Sequence, residues 1–278
     1  MKILVVRLSC HGDVVSATSI LPGLRAKYPD ATIHFHADPS FAWPLYNNPF
    51  VDKIVKQPRE DSYDLIISLE HHERWNDQMA RVQCEIAGVE FNPPRLYFTE
   101  AELDEPLPPF APRGFIAVAH RAGWENKCYP RMQHLIDAFP DQNFVQVEAV
   151  ADEYRLHCDG YLGGYGLRKI AAWMRHCHFY VGVDTVFAHI AAALGKPMIL
   201  ALGPTSHELL YIPHASIVYN PRRGEEPLNH LPEGYPAAEA DPKDLINALG
   251  ERLSGHLERW GDNPRIIYTD GEGREWRP

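Results

Sequence analysis

Three short stretches gather residues with chemistry to offer. In Ser9-Cys10-His11-Gly12-Asp13 a carboxylate follows a glycine turn at the end of an apolar run. Taken singly, Asp13 reads as a helix N-cap, whose oxygen accepts backbone N–H bonds. Read as chemistry, it is a general base able to take the proton from an attacking hydroxyl. No G-x-G-x-x-G follows the run, which argues against an ordinary NAD-binding turn. In His120-Arg121-Ala122-Gly123-Trp124-Glu125-Asn126-Lys127 two cations sit in one loop of an acidic protein. They read either as solvated charges or as a clamp on a diphosphate, with Lys127 as its point charge.

The third stretch runs from Val181 to Pro197. Asp184 and Thr185 open a helix whose free N–H groups suit a diphosphate, and His189 follows four residues later on nearly the same face. Capping is the plain reading of Asp184 and Thr185, and a half-buried histidine that of His189. Thr205 and Ser206 end the next apolar run. Other clusters offer less. His176-Cys177-His178 hints at metal, but alternate residues of a strand point to opposite faces, and no second Cys/His pair has zinc spacing, so no metal is expected. His71-His72-Glu73 ends a predicted strand. Tyr161 to Gly166 reads as a flexible loop without the Lys-Ser/Thr ending of a nucleotide P-loop.

The elements that must position these residues follow from hydrophobic pattern. Lys2 to Leu8 is apolar without alternation, as in a central parallel strand buried on both faces. Asp13 to Lys27 has helical spacing, with a break expected at Pro22. Strands are predicted at 31–37, 53–56 and 65–69, and helices at 40–46 and 73–87. Residues 92–113 hold six prolines and read as the linker. Beyond it come strands at 115–119, 143–147, 178–183, 197–202 and 216–219. Helices are expected at 130–138, 167–175, 186–194 and 241–257, the last with Asp241-Pro242 at its start. The tail after Gly261 has no clear pattern. Strand–helix alternation on both sides of a linker predicts an α/β protein of two Rossmann-like, doubly wound domains facing across a cleft, with ligands at the carboxyl ends of the strands.

The chain has 278 residues, and its 27 basic against 37 acidic side chains give a net charge of −10. Such a surface repels nucleic acid and anionic membranes, so no stable nucleic-acid binding is expected and an anionic ligand must meet a local basic pocket. No apolar run approaches the roughly 20 residues of a membrane span, and the N-terminal run is too short for a signal peptide. Five scattered cysteines read as reduced thiols of a cytoplasmic protein.

Together and in order, the motifs resemble the ADP-heptose:lipopolysaccharide heptosyltransferase family, glycosyltransferase family 9. The resemblance lies in MKILVVRLSCHGDVVSATSILPGLRAKYPDATIHF, in NNPFVDKIV and in GVDTVFAHIAAALGKPMILALGPTS, and it runs from residue 1 to about 210. It implies a GT-B fold with an acceptor-side domain at 1–108 and a nucleotide-sugar domain at 109–278, the last helix packing back on the first domain. It implies inverting, metal-independent transfer from a nucleotide-diphosphate sugar to a glycan or other hydroxyl acceptor, with no cofactor. By motif, Asp13 would be the base and Lys127 would meet the diphosphate, while Arg121, His11 and Gly12 are substrate-binding candidates from the same loops. Asp184, Thr185 and His189 would bind the nucleotide-sugar, with Thr205 and Ser206 behind them. Val186 stands where the family usually has glycine, Ser19 where it has proline, and Cys128-Tyr129 where it has a basic residue and tryptophan. Trimmed loops at 90–113 and 148–166, and the lack of a basic amphipathic face, suggest an acceptor other than a lipid surface. The alternatives are a non-catalytic sugar-nucleotide or glycan binder, transfer of another sugar to a protein or modified nucleobase, and, last, a sugar-nucleotide epimerase.

Overall fold

The computed structural model describes residues 1–70, 77–151, 153–219, 240–255, 265–269 and 275–276, the last two segments as backbone only. It divides into two compact units: Met1–Glu105 with Glu208–Tyr211, and Pro106–His207 with Ile212–Pro278.

In unit 1, strands β1 (Lys2–Val6), β2 (Thr32–His36), β3 (Lys53–Val55) and β4 (Leu65–Ser68) form a parallel sheet in the order β3-β2-β1-β4. Ile3, Leu4 and Val5 are all buried, so both faces of β1 are covered. Helices α1 (His11–Ala17) and α2 (Ile20–Lys27) replace the single helix predicted from Asp13. The break falls ahead of Pro22, at Thr18 and Ser19, whose N–H groups close tight turns onto Val15 and Ser16 at 3.1 Å. Proline has no N–H to return to the carbonyl of Thr18, so the ladder parts one turn before the ring. α1 also starts earlier than expected. Cys10 is the N-cap residue, and Asp13 lies inside the first turn instead of capping it.

The helix expected at 40–46 is a single 3₁₀ turn, Trp43–Leu45. Helix α3 (Met79–Ala87) starts at Met79 instead of Glu73, and the His71-His72-Glu73 cluster lies outside the described residues. The predicted linker holds a short helix, α4 (Glu100–Asp104), between its proline groups. Thr99 and Glu102 exchange capping hydrogen bonds there. α4 closes unit 1, so the boundary falls after Glu105, ahead of the expected 108. Val14, Ile20, Leu21 and Leu24 of the helices meet Ile3, Ile33 and Phe35 of the sheet in one core.

Unit 2 contains β5 (Ile116–Ala119), α5 (Met132–Asp137), β6 (Phe144–Gln146), β7 (Gly160–Tyr161), α6 (Leu167–Met174), β8 (Phe179–Gly182), α7 (Val186–Ala193), β9 (Met198–Leu202), β10 (Ala215–Tyr219), α8 (Pro242–Leu253), β11 (Arg265–Thr269) and β12 (Glu275–Trp276). Its sheet has the order β12-β11-β10-β9-β8-β5-β6-β7 and is parallel except for the β11–β12 pair. β7 lies at the start of the stretch expected as a flexible loop; Gly160 and Tyr161 pair with Val145 and Gln146 at the sheet edge. β11 and β12 occupy the tail that shows no pattern in sequence. α8 is capped by Asp241, which accepts from the Lys243 N–H at 2.9 Å, and it stops at Leu253 instead of Leu257. It packs on α5, β9 and β10 of its own unit. At Gly182 an added Cβ would lie 2.6 Å from the Ala119 carbonyl and 2.4 Å from the Tyr180 hydroxyl, so only glycine lets β8 approach β5 there. Among the described residues, no helix is long and apolar enough to cross a membrane.

Candidate active site

Each sheet reverses its winding at one place. In unit 1 the chain winds outward from β1 through β2 to β3, and β4 then joins the other side of β1. In unit 2 it winds from β5 through β6 to β7, and β8 returns to the other side of β5. Loops leaving the two strands at such a point diverge to opposite faces and open a crevice at the carboxyl ends. The nominated residues follow these strands or β9 beside them.

In unit 1, Arg7 comes just after β1 and is almost buried. Its Nη1 donates to the carbonyls of Leu69 and Glu70, just beyond β4, at 3.1 and 3.0 Å. Its Nη2 donates to Asp13 Oδ2. The Leu8 N–H donates to Glu70 Oε1, joining the two loops again. Between them the chain turns through Cys10 at φ 67°, a conformation that favours glycine. Such a residue costs on the order of 1–3 kcal/mol, which the surrounding bonds must offset. Gly12 is buried in the first turn of α1. His11 points to aromatic neighbours, with its ring centroid 4.6 Å from that of Phe41. The Trp43 indole N–H donates to His11 Nδ1 at 3.0 Å, which requires the ring's proton on Nε2. Burial holds the His11 pKa below its usual value.

In unit 2, Lys127 ends the loop after β5, in a 3₁₀ turn at Glu125–Lys127. Its Nζ lies 2.6 Å from Asp184 Oδ2 and 4.8 Å from the centre of the Trp124 ring. Asp184 follows β8 but does not cap α7. The cap is Thr185, whose hydroxyl accepts from the Phe187 N–H at 3.1 Å. The buried Tyr180 hydroxyl donates to the Val183 carbonyl at 3.1 Å and lies 3.4 Å from the Thr185 hydroxyl, which steadies the turn. Thr205, fully buried after β9, donates to the same Asp184 Oδ2 at 2.6 Å. His189 Nε2 stands 3.9 Å from Asp184 Oδ1, one turn into α7. Burial alone would raise the Asp184 pKa, yet the charges of Lys127 and His189 and the hydrogen bonds from Lys127 and Thr205 hold it at about 2. Ser206 is buried beside Thr205, and Val186 is half-buried as the first residue of α7.

The two cations of the β5 loop part company. Lys127 joins Asp184, whereas the Arg121 guanidinium stacks on Tyr154 at 4.0 Å. Two participants escape the sequence reading. One is Arg7, whose only signal is a charge at the end of an apolar strand. The other is the His120–Glu148 pair at the ends of β5 and β6, with Nδ1 and Oε1 3.8 Å apart and both side chains buried. Gln146 Nε2 donates to the same Glu148 oxygen at 3.2 Å. A buried glutamate after a strand is a signal only once the strand is known to end there.

Chemically, unit 2 offers a cation, a helix N-terminus and hydroxyls, the groups that receive an anion. Unit 1 offers a half-buried carboxylate held by a guanidinium, the form of a general base.

Comparison with known proteins bears on the family and the fold. Residues 90–227 match the family model described as glycosyltransferase family 9 (heptosyltransferase). Lipopolysaccharide heptosyltransferase 1 of Campylobacter coli is 34% identical over 61 residues, which is 22% of this chain and 18% of that protein. The structure of ADP-heptose lps heptosyltransferase II of E. coli is similar with a TM-score of 0.70 at 18% identity, over 92% of this chain and 99% of that one. That of the family 9 glycosyl transferase of Veillonella parvula gives 0.75 at 16% identity, over 91% and 97%. Residues 90–227 thus resemble the domain of glycosyltransferase family 9, and the chain as a whole has the GT-B fold of these solved structures.

Proposed function

We propose that the chain transfers a sugar, with heptose the first candidate, from a nucleotide-diphosphate donor to an acceptor hydroxyl, with inversion and without a metal or other cofactor. The observation that carries this reading is the Lys127–Asp184–Thr205 cluster at the winding reversal of unit 2, set beside the capped start of α7. It is a preorganised receptor for a departing diphosphate. Lys127 and the helix N-terminus oppose the charge that develops on the leaving oxygen, so this reading needs no added cation. Arg121, His189 and Ser206 belong to the donor side of the same reading, and His11 and Gly12 to the acceptor side.

Asp13 supplies the other half. It takes the proton of the acceptor hydroxyl while that oxygen bonds to the anomeric carbon. The bond from that carbon to the diphosphate breaks, and its electron pair leaves with the nucleotide. A single displacement from the opposite face inverts the anomeric centre. The acceptor is a glycan or another hydroxyl compound. We place the reaction in the cytoplasm, where the five free thiols would remain reduced.

The test is release of ADP from ADP-heptose, with and without a panel of glycan acceptors. Wild-type protein is expected to release ADP slowly in water and faster with an acceptor. Asp13→Asn is expected to lose about 10²- to 10⁴-fold in rate, the usual contribution of a general base, while ADP-heptose still raises its melting temperature. Turnover of Asp13→Asn at the wild-type rate ends the base assignment. Thermal stabilisation of the wild type by ADP-heptose, with no turnover on any acceptor, makes the chain a binding protein on a transferase scaffold.

A further inference from the structure

An arginine at the end of a buried strand has to find its partners inside the protein, because a buried charge without them is costly. Arg7 finds three. Two are the carbonyls of Leu69 and Glu70, beyond β4, and the third is Asp13 Oδ2, in the first turn of α1. One planar fork therefore ties both strands at the winding reversal of unit 1 to the helix that carries the candidate base. A guanidinium holds several acceptors in a fixed geometry, which an ammonium does not. The arrangement also treats the two oxygens of Asp13 differently. Oδ2 is committed to Arg7, whereas Oδ1 receives no hydrogen bond from the described residues.

We propose that Arg7 is a positioning residue of the transfer reaction: it grips Asp13 by Oδ2 so that Oδ1 takes the acceptor's proton. This inference rests on the reading of Asp13 as the base. The proton moves from the acceptor oxygen to Oδ1, the electron pair of the broken O–H bond forms the new bond to the anomeric carbon, and Arg7 remains a guanidinium throughout.

The other charges near α1 do not duplicate this role. On its own edge lie Cys10 and His11, and burial lowers the His11 pKa. Glu70 follows β4, and Asp38 precedes the 3₁₀ turn packed on α1. On α3, also packed on α1, Glu85 adds a carboxylate, burial pushes the Cys84 thiol up, and Arg81 stacks on Phe91 at 4.2 Å.

The test measures kcat and KM of the full chain for ADP-heptose turnover with a glycan acceptor, beside the melting temperature of each variant with and without ADP-heptose. Arg7→Gln is expected to lose about 10-fold or more in kcat with the KM for ADP-heptose nearly unchanged, because a misplaced base slows the chemical step and not donor binding. Arg7→Lys is expected to restore part of kcat and carries the test should Arg7→Gln not fold. Unchanged kcat in both variants, with Asp13→Asn inactive, overturns the role of Arg7 and leaves the base reading standing. Asp13→Asn active at the wild-type rate overturns the base reading, and this inference with it.

Discussion

Lys127 and Asp184, 57 residues apart in the chain, meet at 2.6 Å where the loops after β5 and β8 diverge. Neither is well solvated, with side-chain exposures of 14% and 9%. The pair is therefore part of the unit's internal structure as well as a candidate donor contact, and the two roles separate by mutation.

Lys127→Met leaves a buried carboxylate without its cation, which typically costs about 3–5 kcal/mol. In Lys127→Met/Asp184→Asn the stranded charge is gone, and most of that loss is expected to return. Neither variant should bind the diphosphate, since the ammonium is absent from both. Urea unfolding measures the first effect and the thermal shift with ADP the second. A double variant no more stable than Lys127→Met would mean that the pair contributes little to folding.

Thr205 has no solvent contact, and its hydroxyl serves the Asp184 oxygen that Lys127 also holds. Thr205→Val keeps the shape and deletes the donor. A hydrogen bond to a charged group is worth about 1.5–3 kcal/mol, so that range is the expected loss. Thr205→Ser should recover most of it, and ADP affinity should fall in Thr205→Val and return in Thr205→Ser. Equal stability of the valine and serine variants in a denaturant titration would show that packing, and not the hydroxyl, is what position 205 contributes.

His11 supplies a pH dependence. Its folded pKa lies below the usual 6.5 because burial opposes the charged ring. Above 6.5 both folded and unfolded chains hold it neutral, and its contribution is fully present. As the pH falls below 6.5 the unfolded chain gains a proton first, so this contribution is lost down to the folded pKa. His11→Gln keeps an acceptor for the Trp43 N–H and cannot titrate. Its melting temperature should fall less than that of the wild type between pH 7 and pH 5. Parallel curves would remove His11 from the acid response.

Much of the architecture can be read without coordinates. Lys2–Val6 and Met198–Leu202 are apolar runs without alternation, and only a strand covered on both faces satisfies such a run. Details that depend on neighbours are harder. Pro22 announces a break but not its place, which fell at Thr18 and Ser19 because the lost bond belongs to the preceding turn. Gly160-Tyr161 shows no strand pattern, since a two-residue edge strand is made by its partner β6. β11 and β12 are likewise defined by pairing with β10 and with each other.

The candidate site divides in the same way. Local order gives Asp13, Lys127, Asp184, Thr185 and His189 only their places at strand ends, turns and helix starts, and the resemblance of the motifs taken together nominates them for the site. Which partner each side chain takes is a long-range matter. Arg7 gains its importance from Leu69 and Glu70, more than sixty residues away, and from Asp13. Asp184 loses the capping role to Thr185 and becomes the anchor shared by Lys127 and Thr205. Parallel pairing of β1 with β4 and of β5 with β8 brings these loops together. A buried charge must then be neutralised by whatever that pairing places within reach, and residue order does not list those neighbours.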